Sequence, residues 1–265
     1  MRSAELLSSF GLREKSVLNE SKYFNTIRNA TFDLMHDLLE GVCDMEIKLV
    51  LHHFIFVKKY FTAAFFNNRV ASVMYGQAEK KNKPTANFSS HVLRNTQDRS
   101  LRQKAMQSWC LTRVFPFLVS DVIPLKEDSH FELIRLLLQI LSIVFTPKIS
   151  KEMIAYLEEL IIDHTNLFHT LFPDVNIINK QHHLEHYAST ILKMGPLTQY
   201  WCMRYEGKHN ELKEWAHVCK NFKNIAKSLA HKHQISLAYH LDNIDNTICH
   251  AKGEVVNLKI KKILI

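Results

Sequence analysis

Apolar residues recur at helical spacing through most of the chain. From Asp44 onward, Met45, Leu49, Leu51, His52, Ile55 and Phe56 run at helical spacing and predict a helix reaching about Phe66. Ser100 is placed to start a second helix running to about Val119. Asp128 caps a third that stops before Pro147, and Ser150 caps a fourth that stops before Pro173. Residues 181–194 form a fifth, closed by Gly195 and then Pro196, which cannot continue it. A long helix follows from about Arg204 to at least His231, with Leu212, Trp215, Cys219, Phe222, Ala226 and Leu229 as its predicted buried stripe. Three segments have strand character: residues 23–27, residues 69–76, where a helical turn fits equally, and residues 255–265, which alternate like an edge strand. The polar run 77–90, with Lys80, Lys81, Lys83 and Pro84, reads as a solvated loop and the best internal boundary.

Composition agrees with a mainly α fold. Six glycines and six prolines in 265 residues leave too little turn punctuation for an all-β sandwich or barrel, and 46% hydrophobic residues suffice for a real core. The most apolar stretch, residues 133–145, contains Arg135 and Gln139 and falls short of the ~20 apolar residues that span a bilayer, so no membrane span is predicted. The first residues lack the apolar core and cleavage site of a secretory signal, which predicts an intracellular chain. Five scattered cysteines without a C-x-x-C pair predict reduced thiols and argue against a structural zinc site built on cysteine. With 34 Lys+Arg against 26 Asp+Glu, the net charge of +8 favours polyanionic partners. No G-x-G-x-x-G, G-x-x-x-x-G-K-[ST] or G-x-S-x-G string is present, so nucleotide-cradling loops and a serine nucleophile elbow have no support.

Three constellations could carry chemistry. On the long helix, Glu206, His209, Lys213, Lys220 and Lys227 fall along one face, with Lys223 close by. Such a ridge could neutralise nucleic-acid phosphates while the carboxylate holds a divalent metal; equally, it could be a solvated helix with an acidic first turn offsetting its dipole. Asp33, His36, Asp37 and Glu40 lie within TFDLMHDLLEG, where carboxylates could bind Mg²⁺, or Thr31 or Asp33 could cap a helix burying Leu34, Leu38 and Val42. His182, Glu185 and His186 satisfy H-x-x-E-H, a feasible zinc geometry on a helix, although sixteen histidines make chance matches easy.

The order of the segments FDLMHDLLEGV (32–42), FNNRVASVMYG (66–76), WCLTRVFPFL (109–118), ISKEMIAYLEELIIDHTNLFHTLFP (149–173), QHHLEHY (181–187) and GPLTQYWCMRYEGKHNELK (195–213) resembles the C-terminal half of CACTA-superfamily DDE transposases, including their animal relatives. The most specific strings are D-x-M-H and the G-P, W-C-M-R, aromatic-Glu run. The resemblance implies an incomplete ribonuclease-H-like core interrupted by a large all-helical insertion: residues 1–76 as a partial core segment, 77–195 as the insertion, and 196–265 as the last-acid helix and tail. It makes Asp33 the second and Glu206 the third of three acids that hold Mg²⁺ or Mn²⁺. The first acid, on an early strand in the family, finds no counterpart among the residues before Asp33, and Asn179 and Ala188 stand where relatives often carry proline. The expectation is therefore a nuclear, transposase-derived fragment that does not cut DNA alone. It would bind DNA weakly and without sequence preference through Lys213, Lys220, Lys223 and Lys227, with self-association open. The alternative is a non-catalytic helical DNA- or protein-binding module.

Overall fold

A continuous helical run forms the axis of the first of two units, which in this computed structural model divide between Cys202 and Met203. The structure describes residues 16–26, 29–124, 128–221, 223–243, 247–249 and 255–257. The axis begins with a wide, π-helical segment (Met35–Val42), continues as α1 (Cys43–His52) and widens again over His53–Val57. Leu34, Leu38, Val42, Ile47, Val50, Leu51 and Phe54 on it are fully buried. The predicted apolar face of Leu34, Leu38 and Val42 is therefore correct.

A helix enclosed on all sides is usually apolar all round. This one also buries Asp44, Glu46 and Lys48, which survive there because each has partners. Asp44 Oδ2 accepts the Leu101 amide at 3.1 Å. Glu46 pairs with His164 Nε2 at 2.9 Å and meets Gln181 Nε2 at 3.4 Å. Lys48 Nζ donates to the Asp98 and Ser100 carbonyls. In the wide segment Glu40 leaves helical geometry (φ −104°, ψ 16°), and Lys180 Nζ donates to its carbonyl at 3.0 Å. The lysine stem crosses so close to Gly41 that a Cβ there would lie 2.5 Å from Lys180 Cδ.

Around the axis stand α2 (Ala63–Ser72), α3 (Ser90–Arg94), α4 (Ala105–Val119), α5 (Ser129–Val144), α6 (Lys151–Leu171), α7 (Asn179–Leu184) and α8 (Tyr187–Met194). α3, α4 and α5 pack on α1, α7 packs on the wide segment, and α6 lies against α5 and α8. The caps of α5 and α6 are those the sequence predicts: Asp128 accepts from the His130 amide and Ser150 from the Met153 amide. Gly195 closes α8 with φ +86°, and its N–H bonds the Ile191 carbonyl. The second unit contains α9 (Met203–Cys219), α10 (Ile225–Asn243) and an antiparallel pair, β1 (Thr247–Cys249) with β2 (Val255–Asn257). Among the described residues no helix is long and apolar enough to cross a membrane.

Several expectations are corrected. Residues 23–26 form turns rather than a strand; Ile27 lies outside the described residues. The helix expected to reach Phe66 breaks after Val57 at Lys59 (φ 57°), and a new one starts where Thr62 Oγ1 caps the Phe65 amide. Of the two readings left open for residues 69–76 the helical one holds, because residues 69–72 finish α2 and no strand forms there. The helix expected from Ser100 begins at Ala105, because Arg102 takes φ 58°. Residues 77–90 contain a short 3₁₀ turn (Gln77–Asn82) and lie inside the first unit. The helix of residues 181–194 is two helices, interrupted at Glu185 and His186. The long last helix is also two, parted at Lys220 (φ 48°). Its expected buried stripe is not buried: Leu212, Trp215, Cys219 and Leu229 are half-exposed, Ala226 is exposed, and Phe222 lies outside the described residues. Beyond Asn257 the expected edge strand also lies outside them. The described part of residues 1–76 is helix and turn, without the strands a ribonuclease-H-like segment would contribute.

Asp44 makes the axis pH-sensitive. Burial pushes its carboxyl from 3.8 up to about 6, against the Ser108 hydroxyl and the Leu101 amide, which favour the anion. Because the folded value is raised, this group's contribution is fully present below the unfolded value and is lost as pH rises through about 6, about 3 kcal/mol in all. The expected result for Asp44→Asn, which keeps an acceptor for Leu101, is a stability difference from wild type that shifts in the variant's favour by up to about this amount between pH 4 and pH 7 in urea titrations. A pH-independent difference would contradict the assignment.

Candidate metal centre

Asp33 stands at the entrance of the wide segment and does what a cap does, accepting the Met35 amide on Oδ1 at 3.1 Å. The same Oδ1 accepts the backbone amide of Cys202 at 2.9 Å across 169 positions of sequence, and Oδ2 pairs with His36 Nδ1. The D-x-M-H and W-C-M-R strings therefore meet. Burial opposes ionisation of Asp33, but hydrogen bonds from the Cys202 thiol and amide, His36 and Met35 outweigh it and hold the carboxyl below its ordinary value. A carboxylate oxygen of Asp33, a ring nitrogen of His36 and the thiol sulfur of Cys202 all lie within 4.8 Å of one another. His36 Nε2 also lies 3.8 Å from Glu40 Oε2, one turn further on.

A buried layer supports this cluster. Asp37 accepts from His183 Nδ1 at 2.9 Å and from the Tyr187 hydroxyl at 3.2 Å. Burial pushes the Asp37 carboxyl up against both partners, and burial with the nearby Asp37 charge pushes the Tyr187 hydroxyl well above its ordinary value. Phe32 packs its ring on His183, His186 and Tyr187, with centroids 4.9, 5.7 and 6.1 Å apart. The H-x-x-E-H string is divided by this arrangement. His183, which the pattern skips, is the histidine that reaches inward, while His182 and His186 stay exposed with their Nε2 atoms 3.3 Å apart and Glu185 3.3 Å from His182. Those three do not form one of the converging three-donor groups found among the described residues.

Glu206 lies in the first turn of α9 and is exposed. It belongs to the second unit and Asp33 to the first. Lys213 is exposed on α9, Lys220 and Lys223 are exposed in the connection to α10, and Lys227 is exposed in the first turn of α10. They do not share the single continuous helix that the sequence suggested. Sequence reasoning also missed Cys202 as a partner of Asp33, and His183 and Tyr187 as partners of Asp37. The signal available for Cys202 was its place four residues before Glu206 in the same string.

The donors bear on which ion fits. Mg²⁺ demands an octahedron of oxygens, whereas one carboxylate, one imidazole and one thiol suit a borderline ion such as Mn²⁺ or a softer one. No protein-family model, no curated protein and no solved structure matches the chain.

Proposed function

We propose that this chain is a transposase-derived protein that retains the metal-holding and DNA-contacting part of a ribonuclease-H-like DDE enzyme and works in the nucleus by binding DNA rather than cutting it. The observation that carries the reading is the bond from the Cys202 amide to Asp33, which joins the two strings on which the resemblance rests. In this reading Glu206, four residues after Cys202 in the same string, is the partner carboxylate of Asp33 that the resemblance implies. Bound there, a divalent ion of the Mn²⁺ type would neutralise phosphate charge and polarise a phosphate oxygen. Asp33 and Glu206 would hold it, His36 would contribute a nitrogen, and Asp37 with His183 and Tyr187 would keep the Asp33 segment in place. With two carboxylates where such enzymes use three, one side of a two-metal clamp stays open, and groups acting as a unit lose most of their effect when one is missing.

Exposed Lys213, Lys220, Lys223 and Lys227 form no ion pair among the described residues and supply the DNA contacts in this reading. Reversing two of them to Glu is expected to flatten the dependence of log affinity on log salt by about two, since each lost phosphate contact contributes ~0.9 on duplex DNA. An unchanged slope would place the contact surface elsewhere. Supercoiled plasmid incubated with the protein in Mn²⁺ is expected to stay intact. Nicking that disappears in Glu206→Ala would show that a third acid completes the site and would overturn the non-cutting reading.

A further inference from the structure

We propose a second metal site, separate from Asp33 and independent of its assignment, in which His53, Asp128 and His130 bind a divalent transition-metal ion of the Zn²⁺ class. The three come from two elements. His53 opens the second wide segment of the axis, while Asp128 and His130 form the N-terminal cap of α5. One ligand atom from each lies within 4.8 Å of the other two. His130 Nδ1 is 2.9 Å from Asp128 Oδ1, and His53 Nε2 is 3.3 Å from Asp128 Oδ2.

Packing alone does not account for the cluster. His53 Nε2 is buried and, despite its nearness to Asp128, has no hydrogen bond of acceptable geometry. Burying such a nitrogen costs free energy that a bound ion would recover. Burial also holds both imidazoles below their ordinary values. Burial opposes ionisation of Asp128, but the His130 amide and ring outweigh it and hold the carboxyl below its ordinary value. The Tyr60 hydroxyl donates to Asp128 Oδ2 at 3.2 Å and fixes the carboxylate from behind, as outer partners of metal ligands do.

Two histidines and one carboxylate with open positions are a recurrent set for Zn²⁺ and other first-row ions. A cavity of about 170 Å³, lined by His53, Lys58, Asp128, Ser129, His130 and Leu171, adjoins the donors and has room for an ion with water. The Lys58 side chain is exposed and free to leave the rim. The imidazoles lie face to face, 3.4 Å between centroids and 14° from parallel. Their donor edges therefore sit side by side, and closing on an ion requires the stack to splay.

The test titrates the full chain with Zn²⁺ in a Cys202→Ser background, which removes the thiol of the other centre. One Zn²⁺ per chain is expected, with affinity lowered by more than about 10-fold in His53→Gln and in His130→Gln. In the unsubstituted protein, Zn²⁺ is expected to shift the imidazole nitrogen resonances of His53 Nε2 and His130 Nδ1, a readout that does not depend on any variant folding. Resonances unmoved at saturating Zn²⁺, or glutamine variants that bind like wild type, would overturn the proposal.

Discussion

Replacing His164 by alanine is expected to destabilise the first unit by about 3–5 kcal/mol. Glu46 has no solvent exposure, and the His164 imidazole 2.9 Å away is its closest partner. Without it the carboxylate keeps only Gln181, at 3.4 Å, and a cavity opens where α6 meets the axis. The double variant Glu46→Leu/His164→Leu removes both polar groups together, and is expected to cost less than His164→Ala alone, because replacing a buried pair with apolar groups is often close to neutral. Urea denaturation of the three proteins checks this. A His164→Ala cost below about 1 kcal/mol would mean that the pair contributes little.

Phe54→Ala is expected to cost a similar amount, about 3–5 kcal/mol. Phe54 is fully buried where the axis widens, with the rings of Tyr60, Phe61 and His130 at 5.8, 6.2 and 6.5 Å. Tyr60 and Phe61 belong to the chain reversal that ends the axis, and the Tyr60 amide bonds back to the Phe54 carbonyl at 2.9 Å. Removing the ring therefore loosens the reversal as well as the core. A urea midpoint unchanged from wild type would contradict the packing described.

Helix ends set by a local cap were legible in the sequence. Asp128, Ser150 and Gly195 act within one turn of their own position, so their identity suffices. Breaks without Gly or Pro were not read, although some carried a signal: Asn224 Oδ1 caps the Lys227 amide and Asn221 Oδ1 accepts from Lys223, which marks the division of the last helix. The breaks at Lys59 and Arg102 place non-glycine residues at positive φ, which tertiary packing imposes and local propensity disfavours. The buried charges of α1 were illegible for a related reason. A periodicity argument sends Asp44, Glu46 and Lys48 to the surface, whereas their partners come from residues 98–101, α6 and α7. For the candidate centre, D-x-M-H was visible as a string, but its contact with Cys202 depends on the fold of everything between them.

Binding of Mn²⁺, followed by the loss of its free-ion EPR signal, tests most directly the proposal that Asp33 and Glu206 serve one metal centre. The predicted result is a Mn²⁺ site in the full chain that is weakened by about 10-fold or more in both Asp33→Asn and Glu206→Gln, with His36→Gln intermediate. Binding that falls in Asp33→Asn but is unchanged in Glu206→Gln, or that is unchanged in both, would contradict it.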